Sequence, residues 1–265
     1  MNLNDIFTEE EAILIKKVYS PRNGNIVFGT AFRLDFFDRL GLFEESRQHF
    51  SREFGHTLLE RTYAIDFLKR ELARQRVIEL GPGPFGTMNG VLDFAALGVS
   101  EYTAVEPVLT EKYATETNEH FRNGPATIGV VYANPRRWEK IAIPVSVEAT
   151  DGLSYLLSQP DESAVVYSSC VFREDALTDV GLPQELSLKY LHHLINQIYR
   201  VTPRNGITIH SDNTPYIMWD KHFQELGFKL VILGTSKRPE ANGIAVTEQT
   251  ELSYVLGAGG VILRK

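Results

Sequence analysis

The sequence has very little cysteine and no excess of positive charge. Cys170 is the single cysteine among 265 residues, which excludes an intramolecular disulfide framework and a cysteine-cluster metal site. We therefore expect no metal ion. The 34 acidic residues outnumber the 27 basic ones, and the formal net charge is −7. Because an extended nucleic-acid interface needs a basic face, we expect no nucleic acid as a partner.

Long apolar runs are also missing. No stretch approaches the roughly 20 apolar residues that a membrane-spanning helix needs, and residues 1–5 lack the basic and apolar regions of a secretion signal. We therefore expect a cytoplasmic protein with no membrane partner. A chain of this length, with 43% hydrophobic residues, can bury one sizeable core or at most two modest ones.

The segment Arg76–Gly86 organises the rest of the chain. It begins with an apolar run that includes Glu79 and leads directly into a turn rich in glycine and proline. Apolar residues then recur at helical spacing, so the segment predicts a strand, a tight turn and a helix. A second apolar run ends in Glu106, where an acid can accept hydrogen bonds from a ribose. This pattern is typical of the opening half of a nucleotide-type site.

Two parts of the chain differ in pattern. Residues 1–75 are predicted to be helical and aromatic-rich, and form either a layer packed on the sheet or, in part, a lid over a substrate. Residues 76–265 alternate between strand and helix, which predicts a mainly parallel sheet covered on both faces. Seven strands are predicted, and the last two, without a clear helix between them, are expected to pair antiparallel. Residues 123–143 fit neither pattern.

The spacing of Gly81, Gly83 and Gly86 also fits the dinucleotide fingerprint. A dinucleotide turn binds pyrophosphate through backbone N–H groups at a helix N-terminus, but two residues of this turn are prolines, which have no N–H. The charge of Glu79 would repel a pyrophosphate and attract an ammonium group. These features favour a ligand with a nucleoside at one end and an amino acid at the other, which is the form of S-adenosylmethionine.

From Arg76 to Lys265 the chain resembles the class I S-adenosylmethionine-dependent methyltransferases. Five motifs in order carry the resemblance. They are the cofactor turn Glu79-Leu80-Gly81-Pro82-Gly83, the ribose-binding acid Glu106, the adenine-side Thr150-Asp151-Gly152, the fourth motif at residues 165–170, and Arg200-Val201-Thr202-Pro203-Arg204-Asn205-Gly206, similar to the family's R-V-L-K-P-G-G turn.

The resemblance implies a fold, a cofactor and a set of binding residues. The fold is α/β, a Rossmann-like seven-stranded mostly parallel sheet with a terminal antiparallel strand pair, preceded here by the N-terminal helical cap of residues 1–75. The cofactor is S-adenosyl-L-methionine, bound by the methyltransferase domain of residues 76–265. The implied cofactor-binding residues are Glu79, Gly81, Gly83, Gly86, Glu106, Pro107, Thr150, Asp151, Gly152, Ser168 and Ser169.

The chain departs from the family's pattern at two points. The third glycine of the turn would fall at Phe85, and here it comes one residue later, at Gly86. The fourth motif lacks the Asp/Asn-Pro-Pro-aromatic tetrapeptide of enzymes that methylate amino groups of nucleobases, and Ser168–Phe172 stands in its place. This second departure speaks against DNA adenine or cytosine-N4 methylation.

Two residues are candidate catalytic groups. His210 ends the fifth predicted strand at the carboxyl edge, where it could accept a proton from a substrate near neutral pH. A hydrogen-bonded structural histidine is the competing interpretation. Tyr63, in the N-terminal helical part, could close over the cofactor.

The methyl acceptor cannot be identified from the cofactor half of the chain. Methyl transfer from a sulfonium is an in-line displacement with an activated leaving group, so the protein's main tasks are alignment and water exclusion. We expect a nucleophilic O, N or S atom of a small organic molecule, because the predicted substrate-side segments are aromatic-rich. A protein side chain, a non-catalytic S-adenosylmethionine-binding regulatory module and a nicotinamide-dependent oxidoreductase are the alternatives, and the oligomeric state is left open.

Overall fold

The computed structural model describes residues 2–18, 30–31, 58–82, 90–123, 127–130, 138–169, 171, 181–211, 222–234, 254–256 and 260–265. Only the backbone is described at residues 30–31, 58–64, 127–130, 138–139, 169, 211, 232–234, 254–256 and 260. After a 3-10 turn at Leu3–Asp5, the helices are α1 Glu9–Val18, α2 Leu58–Leu72, α3 Val91–Ala96, α4 Glu111–Asn123, α5 Gly152–Ser158 and α6 Gln184–Val201.

Two sheets lie in the described part of the chain. The strands are β1 Thr30–Ala31, β2 Arg76–Leu80, β3 Glu101–Val105, β4 Thr127–Val130, β5 Trp138–Lys140, β6 Val145–Glu148, β7 Val165–Ser169, β8 Ile207–Ser211, β9 Lys229–Gly234, β10 Tyr254–Leu256 and β11 Gly260–Arg264. The larger sheet has the order β10-β9-β11-β8-β7-β2-β3-β6. Strand β11 pairs antiparallel with both β8 and β9, and the other pairs are parallel.

The larger sheet confirms the predicted fold class. All seven predicted strands are present, and the last two, β9 and β11, pair antiparallel as expected. The eighth strand, β10, was not predicted; it is three residues long and adds to the outer edge of β9. Such a short segment carries too little periodicity to be recognised without its pairing partner.

The smaller sheet accounts for part of the segment that the sequence left unassigned. Strands β4 and β5 pair antiparallel, and β1 pairs parallel with β4. A two-residue strand therefore exists within residues 1–75, where only helices were predicted, and it joins this region to residues 127–140. The division of the chain at residue 75 stays a prediction.

The larger sheet is buried on both faces, because its strands alternate between two apolar clusters. Val77 of β2 points into a cluster with residues of α2, α3 and α4. Ile78 and Leu80 point into a second cluster with residues of α1, α5 and α6. The apolar face of α6 packs in the second cluster through Leu191, Leu194, Ile195 and Ile198. No helix among the described residues is long and apolar enough to cross a membrane.

The side chain of Asn118 in α4 forms hydrogen bonds with the backbone of the edge strand β6. Its side chain accepts from the Val147 N–H at 2.7 Å and donates to the Val147 carbonyl at 2.9 Å. Replacing Asn118 with Ala removes both bonds from a partly buried strand, so we expect the free energy of unfolding to fall by about 1–3 kcal/mol. Denaturant unfolding measures the change. Lys112→Ala, at an exposed position of the same helix, should change stability little, and an equal loss in both variants would refute this role of Asn118.

Candidate functional site

The ends of five parallel strands meet at one edge of the sheet. In the strand register Leu80 of β2 lies opposite Val105 of β3 and Ser168 of β7. Val105 in turn lies opposite Glu148 of β6, and Ser168 lies opposite His210 of β8. The order reverses around β2, since β3 follows on one side and β7 on the other. In α/β sheets, ligands bind beyond the carboxyl ends of strands at such a reversal.

The turn after β2 begins with a left-handed glycine. Gly81 has φ of 70°, a conformation that costs a residue with a side chain about 1–2 kcal/mol. Its N–H donates to the Val105 carbonyl at 3.0 Å, which extends the pairing between β2 and β3 by one bond. The chain thus leaves the sheet directly beside the end of β3. Pro82 follows, and it supplies no N–H to a ligand.

Glu106 lies immediately after β3 and is 5% exposed. Its backbone N–H donates to the Glu148 carbonyl at 3.0 Å, and its Oε1 accepts from the Val108 N–H at 3.2 Å. The backbone bond fixes the residue between the ends of β3 and β6, and the side-chain bond holds the carboxyl against its own loop. Pro107 is half-buried beside it.

Asp151 begins α5 and is 8% exposed. Its Oδ1 accepts from the Ser154 N–H at 2.9 Å, as a helix N-cap does, and from the Tyr190 hydroxyl at 3.0 Å. The Tyr190 hydroxyl also accepts from the Leu153 N–H at 3.2 Å, so α6 holds the start of α5 in place. Thr150 and Gly152, both half-buried, flank Asp151.

Glu79 lies inside the protein rather than at its surface. The residue has no exposed surface, and its Oε2 accepts from the Tyr102 hydroxyl and from the Gly90 N–H, the latter at 3.0 Å. Burial raises the pKa of the Glu79 carboxyl to about 8, and the negative charges of Asp93 and Glu106 add to this effect, while the Gly90 bond opposes it. The group is therefore mostly protonated at neutral pH. In this state it ties β2, β3 and the residue before α3 together.

A chain of hydrogen bonds runs through the buried ends of β7 and β8. The Thr208 hydroxyl donates to the Val166 carbonyl at 2.7 Å and lies 3.1 Å from His210 Nε2. Because a hydroxyl has one hydrogen, Nε2 must donate to Thr208. Burial lowers the pKa of His210 to about 3, so the ring is neutral and Nδ1 accepts from the Ser168 hydroxyl at 2.7 Å.

This arrangement restricts what His210 can do. The residue has no exposed surface, its Nε2 is bonded to Thr208, and its Nδ1 is bonded to Ser168. A proton from a ligand would therefore reach the ring only through the Ser168 hydroxyl. The geometry agrees with a structural histidine at neutral pH, and a catalytic role for His210 stays a prediction.

The structure brings most of the predicted site residues to one edge of the sheet. They follow β2, β3 and β6 or end β7 and β8: Gly81, Glu106, Pro107, Thr150, Asp151, Gly152, Ser168, Ser169 and His210. Glu79 lies directly behind them in β2. Gly83 and Gly86 are outside the described residues. Tyr63 is in α2 and Ser169 ends β7, but their side chains are outside the described part of the chain. The assignment of each residue to the cofactor stays a prediction.

Three residues that hold this edge in place were missed by the sequence reasoning. Tyr190 contacts Asp151, Tyr102 contacts Glu79, and Thr208 contacts His210. Tyr190 lies 39 positions from its partner in the chain and Tyr102 lies 23 positions from its partner. The sequence carried no signal for these two pairs. Thr208 and His210 are two positions apart on one strand, so the period of two could have placed them on the same face.

The described residues contain no group of three or more His, Cys, Asp or Glu side chains that could hold a metal ion. The acids at the edge each have protein partners in the contacts given above. The carboxyl groups at this edge suit an organic ligand. A carboxylate accepts hydrogen bonds from hydroxyl and amino groups, and it neutralises a cationic group.

Comparisons with known proteins find similar structures but no similar sequence. No protein-family model and no curated protein matches the chain. An S-adenosylmethionine-dependent methyltransferase from Mesorhizobium loti matches 77% of this chain and 96% of its own, with TM-score 0.41 and 14% identity. A second one, from Aquifex aeolicus, matches 76% and 88%, with TM-score 0.40 and 9% identity.

A further match has a different activity in its name. The precorrin 8w decarboxylase from Methanobacterium thermoautotrophicum matches 79% of this chain and 90% of its own, with TM-score 0.36 and 13% identity. At such scores and identities these likenesses carry no conclusion about activity. The strand order and the antiparallel β11 are observations on the chain itself. The chain therefore has the Rossmann-like α/β fold that its resemblance to the class I S-adenosylmethionine-dependent methyltransferases implies.

Proposed function

We propose that this protein binds S-adenosyl-L-methionine beyond the ends of β2, β3 and β6 and transfers its methyl group to a small organic molecule. The acceptor is a nucleophilic O, N or S atom, and the transfer is an in-line displacement. The observation that carries the proposal is a pair of buried carboxyl groups, Glu106 and Asp151, after neighbouring strands beside the left-handed Gly81.

The chemistry of this edge supports a nucleoside joined to an amino acid. In this proposal Glu106 accepts hydrogen bonds from the two ribose hydroxyls, and Asp151 accepts one from the adenine amino group. A pyrophosphate finds the opposite environment, because Pro82 has no N–H and the carboxyl group of Glu106 lies close to the turn. The proposal therefore favours a phosphate-free cofactor over a dinucleotide.

The cofactor supplies an activated methyl group on a sulfonium, and the residues of this chain bind it, orient it and exclude water. No general base is required when the acceptor arrives deprotonated. His210 in β8 is neutral and has a hydrogen bond at each of its two ring nitrogens, which agrees with a reaction that needs no general base. Substrate selection would belong to the aromatic-rich segments that precede β2 and follow β7 and β8.

Calorimetric titration with S-adenosylmethionine, S-adenosylhomocysteine and NAD tests the cofactor. We expect both S-adenosyl ligands to bind and NAD not to bind; binding of NAD alone would overturn the proposal. A metabolite extract and a protein extract, each incubated with methyl-labelled cofactor, then test the acceptor. Label in small molecules supports the proposal, label in protein supports a side-chain acceptor, and binding without any label supports a non-catalytic module.

Asp151 allows its two roles to be separated. Asn caps helices about as well as Asp, so Asp151→Asn should keep the free energy of unfolding within about 0.5 kcal/mol of the parent. Its amide oxygen can still accept from Ser154 and Tyr190, which leaves the NH₂ group toward the adenine amino group, a donor against a donor. We expect S-adenosylhomocysteine to bind about tenfold more weakly.

Asp151→Ala is the matched comparison, since it should lose about 1 kcal/mol of stability as well as affinity. Unfolding curves and calorimetric titrations measure the two effects. Unchanged affinity in Asp151→Asn would show that Asp151 is a helix cap only.

A further inference from the structure

One oxygen of the Glu79 carboxyl group has no partner in the described structure. Oε2 accepts from the Tyr102 hydroxyl and the Gly90 N–H. Oε1 is equally buried, and among the described residues it has no hydrogen-bond partner. A buried oxygen without a donor costs free energy unless it carries a proton or meets a ligand.

The groups around Glu79 are acidic or neutral. Asp93 of α3 and Glu106 after β3 both act on its charge and are both acids. The phenol of Tyr102 comes from β3, and that of Tyr167 comes from β7, where Tyr167 lies opposite Glu79 in the register. Residues 83–89, which separate Pro82 from Gly90 in the sequence, include no ionisable side chain. The described neighbours that act on the charge of Glu79 thus include no cation, so none of them offers a carboxylate there a counter-charge.

We infer that an ammonium- or sulfonium-bearing ligand that binds beside Gly81 and Glu106 displaces one proton from Glu79. The inference rests on the proposed function, and it adds that ligand and proton compete for this site. Gly81 is two residues beyond Glu79, and Glu106 already couples to its charge. A cation at this position therefore supplies the counter-charge that the described neighbours do not.

The exchange conserves charge. In the ligand-free protein the carboxyl group of Glu79 is neutral at pH 6.5, since burial, with Asp93 and Glu106 adding to it, raises its pKa to about 8. When the cation enters, the O–H bond of the carboxyl group breaks, the proton passes to the buffer, and the carboxylate faces the ligand's positive charge. An opposite charge within about 4–6 Å lowers the pKa of a carboxyl by about 1–3 units.

Calorimetric titration with S-adenosylhomocysteine, which carries an ammonium group, measures the proton directly. The titration is repeated at pH 6.5 in phosphate and in imidazole, two buffers that differ in ionisation enthalpy. We expect release of up to about one proton per ligand, and a dissociation constant that falls up to about tenfold per pH unit between about pH 6 and 7.5. Glu79→Gln should abolish both effects, whereas Glu101→Gln, on the opposite end of β3, should preserve both.

5′-Methylthioadenosine is the ligand control, because it keeps the nucleoside and lacks the amino acid and its charge. Its binding should release no proton from the parent protein. Binding of S-adenosylhomocysteine without proton release, or with equal release in Glu79→Gln, overturns the inference and leaves the proposed function standing. Failure of both S-adenosyl ligands to bind overturns both. Should Glu79→Gln not fold, the comparison of the two ligands on the parent protein decides the inference.

Discussion

The free energy of unfolding of the ligand-free protein will be highest between about pH 4.5 and 6.5 and will fall steeply on both sides. Two buried groups with opposite shifts, Glu79 and His210, produce this maximum. Each contributes a slope of about 1.4 kcal/mol per pH unit in the interval where its folded and unfolded forms bind different numbers of protons.

The alkaline slope belongs to Glu79. Burial raises its pKa from 4.5 in the unfolded chain to about 8 in the folded one. Between these values the unfolded chain gives up a proton that the folded protein retains. Unfolding is therefore favoured more and more as pH rises from 4.5 to 8, and stability is lost over that interval.

The acidic slope belongs to His210. Burial lowers its pKa from 6.5 to about 3. Between these values the unfolded chain binds a proton that the folded protein excludes, so stability is lost as pH falls through that interval. From pH 4.5 to 6.5 the two slopes oppose each other, and beyond either limit one acts alone.

Glu79→Gln isolates the alkaline slope, because an amide resembles the protonated acid and its oxygen can still accept from Tyr102 and Gly90. We expect stability close to the parent near pH 4.5, and a gain of a few kcal/mol over the parent near pH 8.5. Denaturant unfolding across this pH range measures both. Glu101→Gln is the control, since its side chain is 43% exposed. An alkaline slope that persists in Glu79→Gln would show that another group causes it.

Glu106→Gln will weaken S-adenosylhomocysteine binding about 10- to 100-fold at neutral pH. In the proposed site the Glu106 carboxylate accepts hydrogen bonds from two ribose hydroxyls. Hydrogen bonds to a charged acceptor contribute about 1.5–3 kcal/mol each. Gln keeps one accepting oxygen and turns a donor toward the second hydroxyl. Glu106 as a whole is only 5% exposed, so water cannot readily replace the lost partner.

Glu101→Gln is again the matched control, because it neutralises an acid of the same strand at the opposite end from the site. Calorimetric titration gives both dissociation constants, and unfolding curves establish that both variants fold. The prediction is wrong when the two variants bind the ligand equally well.

The sequence predicted the frame of the larger sheet because the information there is local. The short apolar runs of β2, β3 and β7 and the glycine turn each lie within a few residues. Parallel strands joined by helices then bring their carboxyl ends to one edge. Glu106 and Asp151 could therefore be placed together without coordinates.

The features of the fold and the site that could not be predicted depend on residues that are distant from each other in the chain. Strand β1 is two residues long and exists through its pairing with β4, about 100 positions later. The burial of Glu79 beneath α3 could also not be predicted from the sequence. Glu79 was therefore expected to be a charged group available to an ammonium group. Its raised pKa follows from its burial in the tertiary structure and from the nearby charges of Asp93 and Glu106.

A crystal structure of the protein with S-adenosylhomocysteine tests the central claim most directly. We predict that the ribose hydroxyls lie within hydrogen-bond distance of Glu106, with the adenine amino group beside Asp151 and the amino-acid end beside Gly81. A ligand bound elsewhere, or one whose ribose makes no contact with Glu106, would contradict the account.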